Sequence, residues 1–156
     1  MTALVQAVSN TPARSAKIIS RNTLIDSLRE RHRFILDKVA LVEGQREVTY
    51  GTFWERIAHY GELLKEQRVA AGHVIGIMCP MSSLDVAALV LATMDIGAVP
   101  MVINLTDKFQ RVDPGDIGVF GFVMHERTRR LFQAKHPPQQ VSALDQGLNW
   151  YQITSP

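Results

Sequence analysis

The chain carries one cysteine, Cys79, so no internal disulfide can form, and that thiol lies in an apolar segment. A packed thiol in a reducing compartment is expected, which points to the cytoplasm. Long hydrophobic runs are also missing. The longest, Val86 to Ala92, is followed by Thr93, Met94 and Asp95 and falls well short of the roughly 18 residues of a membrane span. It reads as a buried helix, and no membrane partner is expected. Neither sign of charge dominates, because 17 Lys and Arg face 15 Asp and Glu for a net charge of +2. A nucleic-acid partner is not expected from so small a basic surplus.

Motifs that would announce chemistry are absent too. His59, His73, His125 and His136 are scattered without metal-ligand spacing or a cysteine partner, so no metal site is nominated. The glycines of Gly115-Asp116-Ile117-Gly118-Val119-Phe120-Gly121 lack the dinucleotide fingerprint and read as turn geometry. Asp85 and Asp95 fall near opposite ends of one helix, where they cannot act as a catalytic pair, and Asp85 favours that helix's N-terminus. Met78, Met81, Met94 and Met101 read as core filling. No catalytic, cofactor-binding or metal-binding residue is identified.

What is present is a scaffold. With 156 residues, 46% of them hydrophobic, the chain suits one domain with a real core. Residues 1–20 contain no acid, and Gln6, Ser9, Asn10 and Pro12 interrupt any signal-like run, so they read as a mobile arm. Residues 21–145 read as a single α/β domain and residues 146–156 as an irregular tail. Thr23 reads as the cap of a helix with Leu24, Leu28 and Ile35 along one side. Val39 to Val42, a turn at Glu43 to Arg46, and Glu47 to Thr49 form a hairpin signal.

Thr49 is placed to cap a helix in which Phe53, Ile57, Tyr60, Gly61 and Leu64 recur at helical spacing. Val74 to Cys79 is apolar on both alternating faces, as a central parallel strand covered by helices would be. Pro80 ends it, Ser82 or Ser83 caps the next helix with Val86, Leu89, Val90 and Thr93, and Gly97 reverses the chain into a strand over Ala98 to Ile103. A strand, helix, strand unit of this length is a parallel crossover. Further on, Thr106 to Arg111 reads as a helical turn and Asp113 to Asp116 as a turn. Ile117 to Met124 follows as a strand, Glu126 to Lys135 as a short basic helix and Gln140 to Leu144 as a strand.

The block from Asp37 to Asn104 resembles the opening of the adenylate-forming superfamily, which includes acyl-CoA synthetases, nonribosomal peptide synthetase adenylation domains and luciferase. VTYGTFWERI is similar to the first core motif, a Thr-Tyr entering a helix, and LATMDIGAVPMVIN to the second, around Gly-Ala and Pro. AAGHVIGIMCPMSSLDVAALVL resembles the turn, strand and helix between them. The chain departs at Thr52, where the family has an acid, and at His73, where it has the Asp of a Gly-Asp turn. The resemblance implies a mostly parallel α/β sheet with flanking helices, like the first N-terminal subdomain of an AMP-binding ligase.

It also implies ATP and magnesium as ligands only if a partner chain completes the enzyme. The family's Ser/Thr/Gly-rich phosphate loop, its distant acids and its C-terminal Lys have no counterpart, and Thr154-Ser155-Pro156 does not make the loop. Three functions stay open. The chain is a ligase scaffold completed by a second polypeptide, or a non-catalytic interaction protein that dimerises or binds a partner through exposed apolar surface. In the third, loops after the two best strands hold a ligand through Ser82, Ser83, Asn104 and Thr106, although helix capping explains the same residues.

Overall fold

The computed structural model describes residues 23–79, 82–104, 118–133 and 140–152. The elements in chain order are α1 Thr23–His32, β1 Val39–Glu43, β2 Arg46–Thr49, α2 Tyr50–Glu66, β3 Val74–Cys79 and α3 Ser83–Asp95. They continue with β4 Val99–Asn104, β5 Val119–His125, α4 Glu126–Gln133, β6 Gln140–Asp145 and β7 Leu148–Gln152. The expected arm over residues 1–20, the stop at Pro80, and the turns at Thr106 to Arg111 and Asp113 to Asp116 lie outside the described residues. So does the side chain of Cys79.

β1 and β2 pair as an antiparallel hairpin whose turn is opened by Gly44 at φ +63. The other strands form one sheet in the order β4-β3-β5-β7-β6. β3 pairs parallel with both β4 and β5, whereas β7 runs antiparallel to β5 and to β6. Only β7 is reversed, so the sheet is mostly parallel, as expected. Among the described residues, no helix is long and apolar enough to cross a membrane.

The helical side of the core follows from α2. Phe53, Ile57, Tyr60, Gly61 and Leu64 are its buried residues, the set that helical spacing selects. They join Leu84, Ala88, Leu89 and Ala92 of α3 against Ile75, Ile77, Val123 and Trp150 of the sheet. Each large side chain taken out of water there stabilises the fold by about 1.5–3 kcal/mol. The opposite sheet face gathers Met78, Ile103, Phe122, Met124 and Tyr151. Alternation along β3 and β5 thus feeds two cores, which is why neither strand shows a polar face.

Two expectations need correction. α1 ends at His32, so Ile35 is not part of it, and its fully buried side chain is Ile25, while Leu24 is 53% exposed. One residue is a rotation of about 100°, enough to carry Leu24 out of the seam that Ile25 enters. The tail read as irregular contains β7, which occupies the sheet between β5 and β6. Leu148 and Trp150 face the helices and Tyr151 faces the other way, all buried, so the segment has no apolar and polar period to detect.

Gly121 was expected to serve turn geometry, but it lies in β5 under the indole of Trp150, and a Cβ there would overlap the ring. Gly76 in β3 is covered by the Phe122 ring in the same way. Gly61, in contrast, has nothing within 4 Å of the position a Cβ would take. Gly121→Ala is therefore expected to lose about 1–3 kcal/mol in urea unfolding through overpacking. Gly61→Ala, which removes a glycine from a helix interior, is expected to gain about 0.5–1 kcal/mol in the same measurement.

Candidate functional site

The best-formed polar site lies where the first turns of α2, the start of α3 and the turn between β6 and β7 meet. Thr49 caps α2, its Oγ1 accepting from the backbone N–H of Thr52 at 3.3 Å and donating to the Thr52 hydroxyl at 3.2 Å. The cap works without the acid that the family places at Thr52. With α2 started at Tyr50, Arg56 and Tyr60 stand one turn apart on the side facing α3. Both reach Asp85.

Tyr60 Oη donates to Asp85 Oδ1 at 2.5 Å, and Arg56 donates to the same oxygen from Nε at 3.2 Å and Nη2 at 3.0 Å. Asp85 Oδ2 accepts from Ser82 Oγ at 2.7 Å, while the Asp85 backbone N–H donates to Ser82 Oγ at 3.1 Å. Ser82 is thus the α3 cap, and its hydroxyl is committed in both directions. Arg56 Nη1 extends the network to Asp145 Oδ2 at 2.9 Å, where His59 Nε2 also stands at 3.5 Å. One guanidinium ties α2 to α3 and to the end of β6.

Burial alone would raise the Asp85 carboxyl, but the hydrogen bonds from Tyr60, Ser82 and Arg56 outweigh it and hold the group below its usual range. Burial and the Asp85 hydrogen bond push the Tyr60 phenol well above its ordinary value, so it remains a proton donor. Burial works against the Arg56 charge, but its bond to Asp85 and the nearby carboxylates keep it charged.

A cleft of about 650 Å³ opens beside this network, lined by Glu43 and Arg46 of the hairpin, by Thr52, Glu55, Arg56 and His59 of α2, by Ser82, Leu84 and Asp85, and by Gln146. No glycine is among the described residues that line this cleft. A phosphate site needs successive backbone donors and an available cation. The glycines with positive φ, Gly44, Gly72, Gly97, Gly118 and Gly147, stand at separate turns, and of the two arginines in the lining Arg56 is already shared by two carboxylates while Arg46 belongs to the hairpin. No group of three or more His, Cys, Asp or Glu placed to hold a metal ion occurs among the described residues.

Of the four loop residues picked from the sequence, the structure describes the contacts of Ser82 alone, as the α3 cap. The side chains of Ser83 and Asn104, and all of Thr106, lie outside the described residues. Asp95 stays apart from Asp85 and pairs with Arg29 at 2.9 Å. His73 accepts the Ala70 backbone N–H at 3.2 Å, doing in this turn what an Asp could do, and stacks on Phe120 at 3.8 Å. Arg56 and Asp145 escaped sequence reasoning, and Tyr60 entered it only as a buried position of the helix. The i, i+4 spacing of Arg56 and Tyr60, set beside Ser82-x-x-Asp85, was the available signal.

A group whose carboxyl is held low contributes stability above its unfolded value and loses it as pH falls through the folded one. Asp85→Asn is expected to cost about 1–3 kcal/mol at neutral pH, the cost of weakened hydrogen bonds to a charge. The gap to the parent should close as pH drops below about 4, where the unfolded carboxylate protonates. Urea titrations at stepped pH measure it.

The sequence matches the family described as AMP-binding enzyme over residues 29–113, more than half of the chain. No curated protein matches. Among solved structures, the anthranilate CoA ligase AuaEII in complex with anthranoyl-AMP is similar at 23% identity and a TM-score of 0.50, over 55% of this chain and 17% of that one. An artificially fused adenylation and PCP di-domain, NpsA-ThdA from Klebsiella oxytoca, is similar at 27% identity and a TM-score of 0.46, over 53% of this chain and 15% of the other. A benzoate CoA ligase from Burkholderia xenovorans LB400 gives 22% and 0.47, over 51% and 16%. The chain thus spans less than a fifth of the length of each of these proteins. By the match across β1 to β4, and with a fold in agreement, the chain belongs to the AMP-binding enzyme family.

Proposed function

We propose that this chain is the N-terminal scaffold of an adenylate-forming ligase of the acyl- or aryl-CoA ligase or adenylation type. A second polypeptide supplies the phosphate loop, the magnesium-binding acid and the catalytic Lys. In that assembly the chain forms a wall of the larger domain, and ATP and magnesium are ligands of the whole. The observation that carries the reading is the family match over residues 29–113. The polar network beside it supports the same division of labour, because Arg56, Asp85 and Ser82 are spent on joining helices. The cytoplasm is the compartment in which we place the assembly.

Attack of a carboxylate on the α-phosphate builds negative charge that backbone donors, a cation and a Lys must meet. Those groups are assigned to the partner. Val99 and Val102 are 50% and 51% exposed on β4, an edge strand of the sheet among the described residues, which supports a contact with another chain. The same exposure favours the second reading, a non-catalytic interaction protein that dimerises or binds a ligase or carrier-protein system.

Purified alone, the chain is expected to show no carboxylate-dependent exchange of pyrophosphate into ATP across a panel of acyl and aryl acids. Co-purified with a polypeptide that begins at the phosphate loop, it is expected to support that exchange. Exchange by the chain alone would overturn the scaffold reading. A stable but inactive complex would favour the interaction protein.

A further inference from the structure

Among the described residues the five-stranded sheet ends at β4 on one side and at β6 on the other, and the two ends differ. β6 is blunted: its register with β7 slips between Ala143 and Asp145, and Asp145 carries a charge. β4 pairs with β3 in unbroken register, and its residues, Val99-Pro100-Met101-Val102-Ile103-Asn104, include no charge. Val99 and Val102 are exposed on it, at 50% and 51%. Of the devices that keep an edge from pairing, β4 has only a proline.

One bond fixes which backbone groups face outward. The Val99 N–H donates to the His73 carbonyl at 2.8 Å, and alternate residues of a strand turn their backbone groups to the same side. Val99, Met101 and Ile103 therefore bond to β3, while Pro100, Val102 and Asn104 turn theirs away from it. Pro100 has no N–H to offer, but Val102 presents both a donor and an acceptor. Met101 and Ile103 pack with the core around Met78 and Phe122, which places the Val102 side chain on the opposite face.

This edge is complementary to itself. A twofold axis normal to the sheet at Val102 sets the strand antiparallel to its copy, and Val102 then exchanges both N–H···O bonds with its counterpart. On each side the Asn104 N–H meets the Pro100 carbonyl of the other copy, so the missing Pro100 donor leaves only the Asn104 carbonyl without a strand partner. Side chains meet in kind, Val102 against Val102 and Met101 against Ile103. Like charges placed directly opposite would oppose such pairing, and the uncharged strand brings none.

We propose that β4 is a self-association edge, through which two copies of this chain join their five-stranded sheets into one continuous sheet. A contact along one strand is small, so the dimer is weak and forms only at high concentration. The inference goes beyond the scaffold reading and does not rest on it, because pyrophosphate exchange decides that reading separately.

The test is sedimentation velocity of the purified full chain from about 10 µM to about 1 mM, where a shift from monomer to dimer is expected. Over the same range the Val102 amide is expected to gain about tenfold in exchange protection, while that of Met101, already bonded to β3, stays constant. Val102→Lys, which sets two charges against each other at the axis, is expected to remain monomeric. Val42→Lys, at a valine 64% exposed on β1, is expected to dimerise as the parent does. A parent chain that stays monomeric at the highest concentration overturns the proposal, as does a dimer that Val102→Lys leaves intact. A monomer that instead binds a polypeptide beginning at the phosphate loop, in a complex that Val102→Lys disrupts, also overturns it and gives the edge to that polypeptide. Should Val102→Lys not fold, the concentration dependence of Val102 amide protection in the parent decides.

Discussion

The carboxylate of Asp85 is the joint on which the helical layer depends. α2 and α3 each bury an apolar side against the sheet, and such burial fixes depth far better than it fixes rotation or register. Asp85 supplies the missing constraint by accepting from Tyr60, Arg56 and Ser82 at once. It starts α3 as part of a cap and locks α2 beside it. Arg56 then passes the same constraint to Asp145, so that the end of the β6 strand is set by a helix far from it in sequence.

Around that joint the sheet is organised by aromatic rings laid over glycines. Phe122 covers Gly76 and Trp150 covers Gly121, each filling the volume a Cβ would take. The two rings belong to opposite faces of the sheet, so the pair of glycines lets both cores approach the backbone closely. This packing also fixes β7 in place, because Trp150 and Tyr151 insert on its two sides.

Much of this architecture is legible in the amino-acid sequence where one face of an element is wet. α2 shows its buried stripe from Phe53 to Leu64 because polar residues occupy the other side, and Thr49 and Ser82 announce the helix starts through local chemistry. β7 is not legible, since Trp150 and Tyr151 are buried on opposite faces and blur its period, and its neighbour β5 lies well back in the chain. Leu24 and Ile25 illustrate a finer limit. Two adjacent apolar residues leave the helix phase undecided until the neighbouring helices choose one. The site was half visible: Ser82 and Asp85 carry a capping signature, but the link from Arg56 to Asp145 spans a separation that no local pattern records.

The most direct test of the joint is a double-mutant cycle between Tyr60→Phe and Asp85→Asn, read by urea unfolding at neutral pH. If Asp85 holds α2 to α3, the two substitutions will couple by about 0.5–3 kcal/mol, as residues of one hydrogen-bond network do. Additive costs, with a coupling within about 0.3 kcal/mol of zero, would show that the helices are set by apolar packing alone and would contradict this account.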